Sequence, residues 1–250
     1  MTPIWPTHSI FTYHELVPAD GPISRYSVST ERFQSHLNLF RSLAEGSSAT
    51  PRVSFDDGHR SNYLHAAPLL QRAGMTATFF ITAGFMASRA DFMDWTEVRS
   101  LLSAGHAVEA HGWSHRFLPD CSDLELAREL VDAKACLEDH LGHLVTRLSC
   151  PGGRYNDRVL FAAAEAGYKN VYSSEPWYER IVTSSLTLEG RIMVRRDTSL
   201  TALSRLARHT LLARGTVYAE RSLRTGLRKV LGPTYHSLWS RLSGRQPIPG

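Results

Sequence analysis

The chain has 250 residues, of which 42% are hydrophobic and 10% aromatic, enough apolar material for a large core, so global disorder is excluded. Its formal net charge of +4 hides a split: residues 191–250 carry 12 Lys/Arg against Asp197 and Glu220, a net +10, whereas residues 1–190 carry 16 basic against 22 acidic residues, a net −6. No run of 18 apolar residues occurs, which excludes a spanning helix. The three cysteines (Cys121, Cys136, Cys150) have neither an even count nor metal-type spacing, which fits a reducing compartment.

Residues 9–14 read as a short strand. Residues 29–43 have helical spacing through Phe33, Leu37, Phe40 and Leu43, with Ser29 or Thr30 as the cap. Residues 51–55 form a strand that stops abruptly at Asp56-Asp57-Gly58. A helix over 64–73 and an apolar strand over 77–82 follow. Residues 95–104 are helical and end before Gly105, a C-terminal stop. A strand over 107–110 runs into His111. Residues 123–141 make a long amphipathic helix, and 145–150 a strand running into Pro151-Gly152-Gly153. A helix over 157–166 and strands over 168–173 and 192–194 complete the body. This alternation implies parallel strands with crossover helices.

Three of these strands end in polar or Gly-rich turns. Strand C-termini are where open and barrel α/β enzymes gather their chemistry. Asp56 and Asp57 are adjacent, and side chains alternate along a strand, so the two carboxylates are expected to do different jobs. His111 and His115 flank Gly112-Trp113-Ser114. Two His plus one Asp form an open ligand set suited to zinc, with a position left for water. In Pro151-Gly152-Gly153, glycine lets backbone N–H groups approach a ligand.

Together these elements resemble the polysaccharide deacetylases, the NodB-homology or carbohydrate esterase 4 group. Ser54-Phe55-Asp56-Asp57-Gly58 matches the first motif and His111-Gly112-Trp113-Ser114-His115 the second. Ser149-Cys150-Pro151-Gly152-Gly153 with Tyr155-Asn156 resembles a degraded third. Thr12-Tyr13-His14 and Ala77-Thr78-Phe79-Phe80 are similar to barrel strands of the family, and the resemblance covers roughly residues 10–200. It implies a distorted (β/α) barrel of the NodB type with fewer than eight strands over 1–200, followed by a basic helical tail over 201–250. It also implies a divalent metal, zinc first, on Asp57, His111 and His115, with Asp56 as general base and Gly152 as oxyanion donor. Trp113, Tyr155 and His14 are the expected substrate contacts. The reaction implied is removal of the N-acetyl group from an amino sugar in a polysaccharide or its lipid-linked precursor, in exopolysaccharide or cell-envelope metabolism.

Two departures stand out. The family pairs its base with an Arg in the third motif, where this chain has Ser149; Arg147 and Arg154 flank that position. The family's late Leu-x-His, source of a general acid, is not found. His209 reads as a surface residue, and His14 and His59 are alternatives. These losses keep two other readings open: hydrolysis of a ureide or cyclic amide, and a non-catalytic sugar-binding relative. In the tail, Leu223, Leu227, Val230, Leu231, Tyr235, Leu238, Trp239 and Leu242 keep helical spacing, broken at Gly232-Pro233. The tail is expected to pack on the body or to touch an anionic membrane face; no nucleic-acid motif accompanies its charge. The first residues lack the basic and apolar regions of a secretory signal, so a cytoplasmic location, or one at the inner membrane face, is expected.

Overall fold

The computed structural model describes residues 9–18, 24–45, 51–174, 180–183 and 185–208, and residues 215, 216, 219, 223 and 226. Strand–helix alternation produces a curled, mainly parallel sheet. Its strands are β1 (Ile10–Tyr13), β4 (Arg52–Phe55), β5 (Ala77–Ile81), β6 (Ala107–Ala110), β7 (Arg147–Ser149), β8 (Asn170–Tyr172), β9 (Arg180–Val182), β10 (Thr187–Glu189) and β11 (Ile192–Met193). They are ordered β11-β1-β4-β5-β6-β7-β8-β10-β9. The seven strands read from the sequence form the wall of the expected distorted barrel. The antiparallel pair β9–β10 extends one edge beyond β8, and the sheet stays open among the described residues. A separate parallel pair joins β2 (Glu15–Val17) to β3 (Ser27–Ser29).

The helices are α1 (Thr30–Glu45), α2 (Ala67–Ala73), α3 (Trp95–Ser103), α4 (Asp123–Ala127), α5 (Ala133–Leu141), α6 (Asp157–Glu165) and α7 (Leu200–Ala207). Ser29 caps α1 by accepting from the Arg32 N–H at 3.2 Å. Reciprocal capping boxes start α3 at Asp94/Glu97 and α4 at Ser122/Glu125. The long helix expected over 123–141 is α4 and α5 joined by a π turn at Arg128–Asp132. Asn156, beside the degraded third motif, caps α6 by accepting from Val159 N–H at 2.9 Å. Trp95 stacks on His140 with ring centroids 3.9 Å apart, so it packs as expected.

Period-two alternation gives the sheet two unlike faces. Phe11, Val53, Phe55, Phe79, Val108, Leu148 and Val171 point toward the helices and form the main core. There Phe11 stacks on Phe40 of α1 at 4.7 Å, and Phe55 on Phe79 at 5.0 Å. The opposite face is the inside of the half-barrel. It holds a small separate apolar cluster of Ile10, Phe80 and Tyr172, and a polar file that includes Thr12 and Ser54, hydrogen-bonded at 2.8 Å. Tyr13 takes the core side, where its hydroxyl meets buried His36 Nδ1 at 3.0 Å.

α7 packs against α1 and buries Leu203 and Ala207. His209, Trp177 and most of the tail stripe from Leu227 onward lie outside the described residues. No helix among the described residues is long and apolar enough to cross a membrane.

Candidate functional site

The three polar turns meet. Backbone hydrogen bonds carry the sheet ladder one residue past the strand ends: Asp56 N–H donates to Tyr13 O at 3.0 Å, and His111 N–H to Ile81 O at 2.8 Å. By alternation Asp56 lies on the same face as Ser54, His111 on that of Glu109, and Ser149 on that of Arg147. Asp56, His111 and Ser149 are thereby delivered to the inside of the half-barrel. Asp57 does not continue the alternation. Its φ of +74° turns the chain left-handed, a conformation that is uncommon for a side-chain-bearing residue. Its carboxylate swings toward the histidines: His111 Nε2 and His115 Nε2 each lie 3.2 Å from Asp57 Oδ1. His115 is also left-handed, at φ +62°.

The ligand atoms of Asp57, His111 and His115 all fall within 4.8 Å of one another. His111 Nδ1 lies 2.8 Å from the Ser149 carbonyl, an acceptor only, so Nδ1 carries the hydrogen and Nε2 presents its lone pair to the cluster. Asp57 Oδ1 is buried and, among the described residues, accepts no well-aligned hydrogen bond. Two imidazoles and a carboxylate thus converge, a donor set that suits a divalent cation. Burial would push the Asp57 carboxyl up, but His115, His111 and His14 hold it well below the usual carboxylate range. Burial would lower His111, yet Asp56 and Asp57 raise it. The field that draws a proton to this nitrogen draws a metal cation equally.

Asp56 has the opposite environment. It is 2% exposed, and its charge is met by Arg191, which is fully buried. Arg191 Nη1 donates to Oδ1 at 2.7 Å and Nη2 to Oδ2 at 2.8 Å, a bidentate pair. Ser149 Oγ donates to Asp56 Oδ2 at 3.1 Å and accepts from Arg191 Nη2 at 2.7 Å. Arg191 Nε donates to Ser173 O at 3.2 Å, and its guanidinium lies 5.1 Å from the Phe80 ring centroid. Arg191 begins beside β11 and runs along the inside of the half-barrel to reach the base. Burial pushes Asp56 up, but the Arg191 charge and hydrogen bonds together with His111 and His14 outweigh it and leave the carboxyl below its usual range.

This cation was not legible at the third motif. The flanking candidates point elsewhere: Arg147 Nε lies 3.8 Å from Glu109, and Arg154 pairs with Asp120 at 2.8 and 3.2 Å. Ser149 stands where the family's Arg is expected, and serves as the hydroxyl between Arg191 and Asp56. Gly152 sits at φ +63° in the 3₁₀ turn Pro151–Gly153, directly after Ser149 and Cys150. His14 follows β1, and its charge acts on both carboxylates. Trp113 is half-buried, with Arg128 5.3 Å above its ring. Its indole lies against Gly84, where a Cβ would come within 2.9 Å of Nε1. Tyr155 is half-buried against the core. His59 Nε2 lies 3.7 Å from Glu15, and its Nδ1 3.0 Å from Ser61 Oγ.

The family model described as Polysaccharide deacetylase matches residues 47–171, half of the chain. The peptidoglycan-N-acetylglucosamine deacetylase of Bacillus cereus is 31% identical over 128 residues, covering 51% of this chain and 56% of the relative. The chitooligosaccharide deacetylase of Sinorhizobium fredii is 26% identical over 146 residues, covering 55% and 64%. The chain spans about half the length of the curated relatives it matches. Among solved structures, the Streptococcus pyogenes deacetylase PplD in complex with acetate superposes with a TM-score of 0.68 at 21% identity, over 79% of this chain and 96% of that one. IcaB from Ammonifex degensii superposes at 0.66, also at 21% identity, over 80% and 95%. At these identities the structural likeness establishes the fold.

Proposed function

The chain belongs to the polysaccharide deacetylase family, and from that premise we propose that it hydrolyses the N-acetyl group of an amino sugar, in a polysaccharide or its lipid-linked precursor. The observation that carries this reading is the contrast at Asp56-Asp57. Asp57 joins His111 and His115 in a cluster whose donor set suits a divalent cation, while Asp56 beside it is buried and held by Arg191. A divalent cation held there, zinc in the first instance, supplies Lewis acidity, which polarises an acetamide carbonyl and acidifies a neighbouring water.

The chain's own groups do the rest. Asp56 accepts the proton of the attacking water, as an ionised carboxylate must to act as general base. Arg191 and Ser149 fix its two oxygens. The Gly152 N–H takes the negative charge that develops on the former carbonyl oxygen. His14, Tyr155 and the half-buried edge of Trp113 contact the sugar. The products are acetate and a free amine. The absent third-motif Arg favoured a non-catalytic relative; Arg191 removes that ground. The tail over 201–250, with nine Lys/Arg against Glu220 and so a net +8, gives the chain an electrostatic hold on an anionic membrane face, and a lipid-linked substrate at the inner face is compatible with it.

The test is acetate release from N-acetylglucosamine oligomers. The reading expects Asp56→Asn to abolish release with metal retained, and His111→Ala to lose metal. Undiminished release in both variants overturns it. Release of ammonia from a ureide, without acetate from the oligomers, would transfer the site to a different C–N bond.

A further inference from the structure

Glu129 looks, in sequence, like one more charge on the solvated side of a helix. In the structure it is 2% exposed. It sits in the π turn Arg128–Asp132, a wide turn that is frequent at functional sites. Among the described residues no Lys or Arg pairs with it. Its carboxylate is met instead by the loop between the two metal-site histidines. Trp113 N–H donates to Oε2 at 2.8 Å, and Ser114 N–H donates to Oε2 at 3.0 Å and Oε1 at 3.2 Å. The Ser114 hydroxyl donates to Oε1 as well.

The same loop is held on its other side by backbone. Ala83 N–H donates to Gly112 O at 3.0 Å and Gly84 N–H to Trp113 O at 2.9 Å. Gly112 itself is at φ +79°, and a Cβ there would come within 2.7 Å of Glu129 Oε2, so the carboxylate can approach only a glycine. The loop therefore contains two left-handed residues, Gly112 and His115, and the second is a metal-site histidine in a conformation it would not adopt unaided. Glu129 gathers the Trp113 and Ser114 N–H groups between them.

We infer that Glu129 is a positioning residue for the metal site: it clamps Trp113 and Ser114 so that His115 faces Asp57 and His111. Its negative charge, which no Lys or Arg among the described residues offsets, adds to the attraction for a cation. This rests on the metal reading above. A glutamine cannot replace it, because its NH₂ would face a loop donor and the charge would be gone.

The experiment measures zinc affinity by chelator competition, and thermal unfolding without metal, on wild type, Glu129→Gln, Glu129→Ala and Ser114→Ala. Glu129→Gln, which turns a donor toward a loop N–H, is expected to stay folded with a lowered metal-free unfolding midpoint and to lose about 10–100-fold in zinc affinity, the range typical of groups that orient metal ligands. Glu129→Ala loses at least as much, and Ser114→Ala less. Where Glu129→Ala does not fold, the Gln and Ser114 variants decide. Unchanged zinc affinity in Glu129→Gln overturns the inference while the metal reading stands. A folded wild type that binds no zinc overturns the metal reading, and the inference with it.

Discussion

Asp56 and Asp57 are neighbours in sequence and opposites in surroundings. Asp56 has its countercharge built in: a buried Arg191 takes both oxygens, and Ser149 closes the triangle. Asp57 faces two imidazole nitrogens across 3.2 Å, and among the described residues its Oδ1 accepts no well-aligned hydrogen bond. The difference teaches how one dipeptide supplies two roles. A carboxylate saturated by a protein cation is oriented and kept ionised without binding metal; one set beside two imidazoles can share a metal cation with them. The left-handed turn at Asp57 makes the division, because it sends the second side chain away from the face a regular strand would impose.

The largest expected effect separates these roles. Asp56→Asn should lower turnover by about 10²–10⁴-fold, the range for a general base, with zinc content unchanged. Asp57→Asn should lose zinc and turnover together. If both variants lose metal equally, the two carboxylates are not divided as described.

Arg191→Met sharpens the Asp56 side. It strands a buried carboxylate, so a stability loss of about 3–5 kcal/mol is expected in denaturant titration. The folded fraction should show kcat reduced by about tenfold or more, with KM and zinc content near wild type. A variant with normal kcat would show that the bidentate pair only stabilises the fold.

The smallest effect lies outside the pair, on the helix side of β1. Burial, with the Arg32 charge beside it, lowers buried His36 to about 4 from a usual 6.5. A depressed folded-state value means the unfolded chain binds the proton first. The stability contributed is therefore complete above about pH 6.5 and is lost as pH falls toward 4, a difference of about 3 kcal/mol. His36→Gln should flatten that part of the stability profile and leave zinc content unchanged.

Much of this organisation was legible in the chain. Seven strands and their intervening helices announced themselves through apolar runs and Gly stops, and the Asp-Asp and His-x-x-x-His turns stood at strand ends. The strands β2, β3, β9 and β10 were not read, because the stretches β1–β3 and β8–β10 run without the intervening helices that made the equally short β7 recognisable. Arg191 was invisible for a different reason. Its partner is 135 residues away, and nothing local marks an Arg in Gly190-Arg191-Ile192 as buried rather than solvated. Glu129 was hidden by the π turn, since the 3.6-residue period used to read residues 123–141 does not describe that turn. The boundary placed near residue 200 falls just ahead of α7, whose Leu203 is fully buried. A truncation meant to remove only the tail therefore belongs after Arg208.

The most direct test of the central claim is zinc K-edge absorption spectroscopy on the zinc-loaded chain, read together with zinc stoichiometry. The account predicts one zinc per chain with two imidazole nitrogens and a carboxylate oxygen at about 2.0–2.2 Å. A folded protein that takes up no zinc, or zinc bound without imidazole, would contradict it.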